Sequence, residues 1–292
     1  MVLCSSSVKV DPQVSFRSLE VDATTITMPD MMRTENSHST SVLILIGAIA
    51  ILIDLASGGA AWAQQAAQTP ASPRAVWTST KDAPKGLLTA LEGEHHDRFI
   101  ERAQKGDIDI VFFGTTDTEM WSWADRGRPV WDRVFGSLKA ANFGSQGTRP
   151  ESLQWRMRNG ELDGFRAKLV VLQAHGDDDT VISNGKFDYY VAQYAATIAE
   201  IRARQPQARI LLFASFPRSA VHAGRLANPA LSKLGNNETV FFIDLSDRFF
   251  RADGSHNDDM WRMSGPPDAG IQTPAFEVWA ESLRPWLDRF VR

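Results

Sequence analysis

Residues 107–123 read DIDIVFFGTTDTEMWSW. The apolar run from Ile108 to Phe113 is rich in β-branched and aromatic side chains, too short for a helix, and bounded by Gly106 and Gly114, so it predicts a buried strand. After Gly114 the chain turns through Thr115, Thr116 and Asp117 and takes up helical spacing at Met120, Trp121 and Trp123. The stretch is therefore a strand, a tight turn and a helix start. A threonine in such a turn serves as an ordinary N-cap. It can equally be a functional hydroxyl, because open α/β sheets place their ligands at the carboxyl ends of strands beside helix amino termini.

Working outward, the same alternation repeats. Upstream, residues 87–104 carry helical apolar spacing and include His95 and His96, which point about 100° apart on a helix and so read as packing or surface residues rather than a shared metal site. Downstream, 128–138 predicts a helix with Pro129 in its first turn, 140–143 a short strand ended by Gly144, and 152–160 a helix stopped at Asn159 and Gly160. Residues 168–174 (KLVVLQA) predict a strand that runs into His175 and the acidic run Asp177, Asp178 and Asp179. A long amphipathic helix over 187–204, a strand over 209–215, a helix over 226–234, a last strand over 240–244 and a carboxyl-terminal helix over 274–291 complete the pattern. Five strands alternating with helices imply βαβ units and one parallel sheet between two helical layers.

The chain of 292 residues has 43% hydrophobic residues and a formal net charge of -4, without a basic block, which argues against a nucleic-acid binder. The first 63 residues hold three basic and six acidic side chains, leaving 28 against 29 and a near-neutral remainder. Residues 42–53 (VLILIGAIAILI) follow Arg33 and precede Asp54 and the A-x-A triplet ending at Ala63. This is the shape of a signal peptide, and it falls short of the ~20 apolar residues of a membrane span. The expectation is a leader over 1–63, with Met31 and Met32 as candidate starts, a flexible Ala-, Gln- and Pro-rich lead-in over 64–85, and one domain over 86–292. The mature protein is then periplasmic or extracellular. Its only cysteine, Cys4, lies in the leader, so neither a disulfide framework nor a thiolate metal site is expected downstream.

Four blocks of this chain resemble the SGNH, or GDSL-type, hydrolases, in the branch of the platelet-activating-factor acetylhydrolase catalytic subunits. They are Gly114-Thr115-Thr116, Asn142-Phe143-Gly144, His175-Gly176-Asp177 and Asp268-Ala269-Gly270-Ile271. The stretches RPVWDRVFGSLKAANFGSQGT, LQWRMRNGELDG, ARILLFASFPR and FEVWAESLRPWL look like the same branch. The resemblance implies a three-layer, flavodoxin-like α/β fold with a five-stranded parallel sheet. It also implies a serine nucleophile, a glycine and an asparagine at the oxyanion hole, and an Asp-x-x-His pair.

At those positions the chain departs from the pattern. Thr116 stands at the nucleophile, Asp177 at the oxyanion-hole amide and Ile271 at the histidine, while Gly144 and Asp268 are kept. A hydroxyl needs a base to attack an ester, and an isoleucine has no lone pair. An ionised Asp177 offers only acceptors where an oxyanion needs donors. The expectation is a degenerate site that binds a carbohydrate or acylated ligand, with Thr115, Trp121 and His175 as ligand-binding residues. The alternative is an active short-acyl esterase using Thr116 and a relocated base chosen from His175, His222 and His256, of which His256 is the best placed in sequence. Asp117, Glu119 and the 177–179 run suit a hard cation, yet read more simply as caps and exposed charge; no metal or cofactor is expected, and the oligomeric state is left open.

Overall fold

The computed structural model describes residues 80–175, 185–217, 223–262 and 269–292. The leader, most of the lead-in, His222, Asp268 and the 177–179 run lie outside the described residues. Among the described residues no helix is long and apolar enough to cross a membrane.

The sheet has five strands: β1 (Ile110–Phe113), β2 (Ala140–Asn142), β3 (Leu169–Gln173), β4 (Arg209–Phe213) and β5 (Val240–Ile243). All pairings are parallel, in the order β2-β1-β3-β4-β5. Parallel strands covered on both faces must be apolar at successive positions, which explains IVFF in β1, LVVLQ in β3 and RILLF in β4. Alternate side chains then enter different cores. Val111, Phe113, Val170, Leu172, Ile210 and Leu212 join one cluster; Ile110, Phe112, Leu169, Val171, Leu211 and Phe213 join the other.

Helices α1 (Ala90–Gln104), α4 (Pro150–Arg156), α5 (Phe187–Arg204) and α6 (Ala223–Leu231) supply the first cluster, through Ala103, Leu153, Tyr190, Tyr194, Ile201, Ala227 and Leu231. A short α2 (Thr116–Glu119) follows β1, and α3 (Arg128–Phe135) with α7 (Thr273–Phe290) covers the opposite face. There Trp279 is fully buried with ring centroids 5.2 Å from Trp121 and 4.9 Å from Phe216. Each such aromatic pair contributes about 0.5–1.5 kcal/mol beyond simple burial.

The start of α1 has a chemical cause. Thr89 Oγ1 accepts from the Glu92 N–H at 3.1 Å, and the Glu92 carboxylate accepts from the Thr89 N–H at 2.9 Å, a reciprocal capping box. The other carboxylate oxygen of Glu92 accepts from Ser152 Oγ at 2.6 Å, which ties α1 to α4.

The helix expected over 152–160 begins earlier, at Pro150, and loses helical geometry at Asn159 and Gly160, whose φ of 118° suits a residue without Cβ. The helix expected over 226–234 is α6 followed by a 3₁₀ turn, Ser232–Leu234. A small antiparallel ribbon, β6 (Trp261–Arg262) with β7 (Gly270–Ile271), was not foreseen, because two-residue strands carry no periodic signal.

Candidate active-site cleft

The chain leaves β1 for β2 on one side and returns to β3 on the other, so the crevice at this switch point opens at the carboxyl ends of β1 and β3. Two glycines let the turns close there. A Cβ on Gly114 would lie 2.1 Å from Thr118 Oγ1, and one on Gly144 would lie 2.4 Å from the Glu119 nitrogen and 2.6 Å from the Thr118 carbonyl carbon. Asn142 fastens the two loops: its Nδ2 donates to the Thr118 carbonyl at 2.9 Å and to Ser122 Oγ at 3.0 Å, while its Oδ1 accepts from the Gly144 N–H at 3.0 Å. The Gly144 N–H is thus directed at Asn142.

Thr116 opens α2 and is partly exposed. Among the described residues no histidine or carboxylate hydrogen-bonds its side chain. Thr115 beside it is 1% exposed, and its Oγ1 has no hydrogen-bond partner among the described residues. His175 borders the same cavity and is held by its backbone. Its N–H donates to Tyr194 Oη at 2.8 Å and its carbonyl accepts from Tyr190 Oη at 2.6 Å. A cavity of about 220 Å³ lies between these groups, lined by Thr115, Gly147, Thr148, Arg149, His175 and Tyr194, with Pro150 beside them. Thr115 and His175 thus border one cavity. Thr148, Arg149 and Tyr194 were missed, although Thr148 and Arg149 lie a few residues after the second block, beyond Ser145, Gln146 and Gly147.

The other named positions lie elsewhere. Trp121 is fully buried in the aromatic cluster and borders a separate groove of about 270 Å³ along β2, not this cavity. Ile271 is fully buried in the same cluster, paired with Trp261. His256 sits in an isolated bridge with Phe250; its Nδ1 is 3.4 Å from Asp258, its Nε2 is buried without a partner among the described residues, and no hydrogen bond among the described residues links it to Thr116. Asp117 accepts from Gln173 Nε2 at 3.2 Å and Glu119 accepts from the Gln146 N–H, so both acids serve the local fold.

Next to the cleft lies a polar layer that includes His95 and His96, which the sequence reads as packing or surface residues. His95 Nδ1 is 2.9 Å from Ser145 Oγ, and burial holds this imidazole below its ordinary range, with Glu119 opposing and Arg98 and Arg156 reinforcing the shift. Arg156, fully buried, pairs through Nε (2.8 Å) and Nη2 (3.0 Å) with Glu161 and donates through Nη1 to Thr148 Oγ1 at 2.8 Å. Glu161 also meets His96 Nδ1 at 2.8 Å.

Residues 110–265, more than half of the chain, match the family described as GDSL-like Lipase/Acylhydrolase. Platelet-activating factor acetylhydrolase IB subunit alpha1 of Bos taurus is 27% identical over 180 residues, which cover 56% of this chain and 70% of that protein. Subunit alpha2 of Rattus norvegicus is 26% identical over 205 residues, covering 64% and 83%. A solved structure from Streptococcus pneumonia that carries a platelet-activating-factor designation superposes with a TM-score of 0.55 at 14% identity, covering 68% of this chain and 92% of its own, a likeness of fold.

Proposed function

Because this chain belongs to the GDSL-like lipase/acylhydrolase family, we propose that it is an exported member whose cleft holds a carbohydrate or acylated ligand without cleaving it efficiently. The observation that carries this reading is the surroundings of Thr116: its hydroxyl makes no hydrogen bond to a histidine or carboxylate among the described residues, and Ile271, which the resemblance puts at the family's histidine position, is fully buried in an apolar cluster. An alcohol without such a base is a weak nucleophile at neutral pH. The Gly144 N–H, which the family pattern would aim at an oxyanion, donates to Asn142. Export is supported by the apolar run at 42–53 and the A-x-A triplet ending at Ala63.

A second reading, a short-acyl esterase, is favoured by one observation: His175 borders the cavity that Thr115 lines, one residue from Thr116. Hydrolysis of 4-nitrophenyl acetate and butanoate by the purified protein, beside Thr116→Ala and His175→Ala, separates the two. The binding reading expects all three folded proteins to match the buffer rate. Turnover well above buffer that Thr116→Ala abolishes would overturn it.

A further inference from the structure

We propose that the open edge of the sheet along β2 docks an extended, acidic peptide segment of a partner protein, which adds a strand to the sheet between α1 and α3. The groove at this edge is separate from the cavity that Thr115 and His175 border, so the assignment holds whether or not Thr116 cleaves an ester.

The backbone of β2 supplies the first half of the argument. The Lys139 carbonyl accepts from the Ile110 N–H at 3.1 Å, and the Phe143 N–H donates to the Phe112 carbonyl at 2.8 Å. Backbone groups alternate in direction along a strand, so Lys139, Ala141 and Phe143 address β1 while Ala140 and Asn142 address the outer edge. The Ala140 N–H folds back on the Leu138 carbonyl at 2.9 Å. The Ala140 carbonyl and both backbone groups of Asn142 make no hydrogen bond among the described residues. The opposite edge of the sheet differs. On β5 the Val240 N–H donates to Asn236 Oδ1 at 2.9 Å, and the Val240 carbonyl accepts from the N–H groups of Asn236 and Asn237 at 2.9 and 3.1 Å. An edge with unpaired backbone groups is a template for one more strand.

The groove beside this edge sets the partner's chemistry. It encloses about 270 Å³ and runs between Phe99 and Arg102 of α1 on one side and Arg128 and Trp131 of α3 on the other. An added strand sends successive side chains to alternate faces, so neighbouring residues of the partner meet one helix each. Arg102 donates through Nη1 and Nη2 to the Gly106 and Asp107 carbonyls at 2.7 and 3.2 Å, and forms no ion pair with a carboxylate among the described residues. Arg128 pairs with Asp132 at 2.6 Å, but both side chains are more than half exposed, and such surface pairs contribute little. Carboxylates on adjacent residues of the partner answer both guanidiniums. Phe99 and Trp131, each partly buried, offer apolar surface to aliphatic side chains flanking those acids. A second copy of the chain does not match, because symmetric pairing of two β2 edges sets arginines against arginines. Nor does the chain's own lead-in, since residues 64–79 contain Arg74 and no acidic residue.

The test is calorimetric titration of the purified protein, at neutral pH and low salt, with the acetylated and amidated hexapeptide TVEDVT. It should bind about tenfold or more tightly than its neutral isostere TVQNVT. N-methylation of alternate peptide amides, made in each of the two possible phases, should weaken binding about tenfold in one phase only, because an added strand turns every second N–H to the edge. The exposed Arg128→Met should weaken TVEDVT about tenfold with unchanged thermal unfolding. Equal binding of TVQNVT, equal effects of the two methylation patterns, no effect of Arg128→Met, or no binding of TVEDVT overturns the assignment. Tighter binding of a synthetic peptide of residues 64–79 would give the edge to the chain's own lead-in. A dimer in sedimentation velocity that Arg102→Met and Arg128→Met both strengthen would give it to a second copy. Either result also overturns the proposal.

Discussion

Substituting Glu161 with glutamine should be among the most damaging single changes in the domain. The carboxylate is fully buried, with Arg156 Nε at 2.8 Å, Arg156 Nη2 at 3.0 Å and His96 Nδ1 at 2.8 Å. Glutamine keeps the shape but replaces one acceptor by an NH₂ that meets donors, and it leaves a buried guanidinium without its direct counter-charge. Breaking a buried pair from one side costs about 3–5 kcal/mol. Glu92, 4.0 Å from Arg156, still offers a distant negative charge, so the lower half of that range is expected. For a domain of this size each kcal/mol moves the midpoint by about 2–4 °C, giving a fall of about 6–16 °C. Thermal and urea unfolding followed by circular dichroism measure it. Acid adds a second readout. Burial alone would push the Glu161 carboxyl up, but Arg156 and the hydrogen bonds from His96 and Arg156 outweigh it and hold it below its ordinary value. A depressed carboxyl contributes stability above its unfolded value, ~4.3, and loses it as pH falls through the lower folded value. Wild type should therefore weaken below about pH 4.3 and Glu161→Gln should show a shallower fall. A loss under about 1 kcal/mol in a folded variant would refute the reasoning, since it would mean that the pair carries no net weight.

Three further outcomes follow from named contacts. Gly144→Ala forces a methyl to within 2.4 Å of the Glu119 nitrogen, and since backbone cannot swing aside it should cost about 3 kcal/mol or more in urea unfolding. Ile271→His places the family's histidine inside an apolar cluster; it should destabilise by about 2–4 kcal/mol and leave 4-nitrophenyl acetate hydrolysis at the buffer rate. His95 is held below its ordinary range first by burial, so the unfolded chain binds its proton at higher pH than the native one. Stability should be full above ~6.5 and decline as pH falls beneath it, and His95→Gln should remove that part of the pH dependence in urea midpoints measured between pH 7.5 and 5.

The layers were legible because each strand announces itself locally. IVFF, LVVLQ and RILLF are apolar at successive positions for a physical reason, since both faces are covered. The turn at Gly114 could be read from spacing and its neighbours. The ribbon of Trp261–Arg262 and Gly270–Ile271 could not, because pairing across a loop leaves no period in either segment. The same holds for Glu92, His96, Arg156 and Glu161. They are polar residues in helical stretches, normally read as a solvated face, and only tertiary contact shows that they neutralise one another without water. Trp121 illustrates the opposite ambiguity: four residues past the turn, its spacing suits a cleft lining and a core position equally, and the choice follows from which face of the sheet α3 and α7 cover.

The buried ionic layer also bears on the cleft. Thr148, which lines the cavity, is held by Arg156, which is held by Glu161, which is held by His96 on α1. The loop after β2 is anchored independently through Asn142 and Gly144 to the turn after β1. The Thr148 oxygen accepts from Arg156 Nη1, which leaves its own proton to be donated to another acceptor. Losing a base near Thr116 removes only a reaction; losing Arg156 or Glu161 removes the floor on which any ligand rests. Thr116 and the Arg156–Glu161–His96 layer are separate sets of residues, so a substitution at Thr116 tests hydrolysis and one at Glu161 tests the support of the loop after β2.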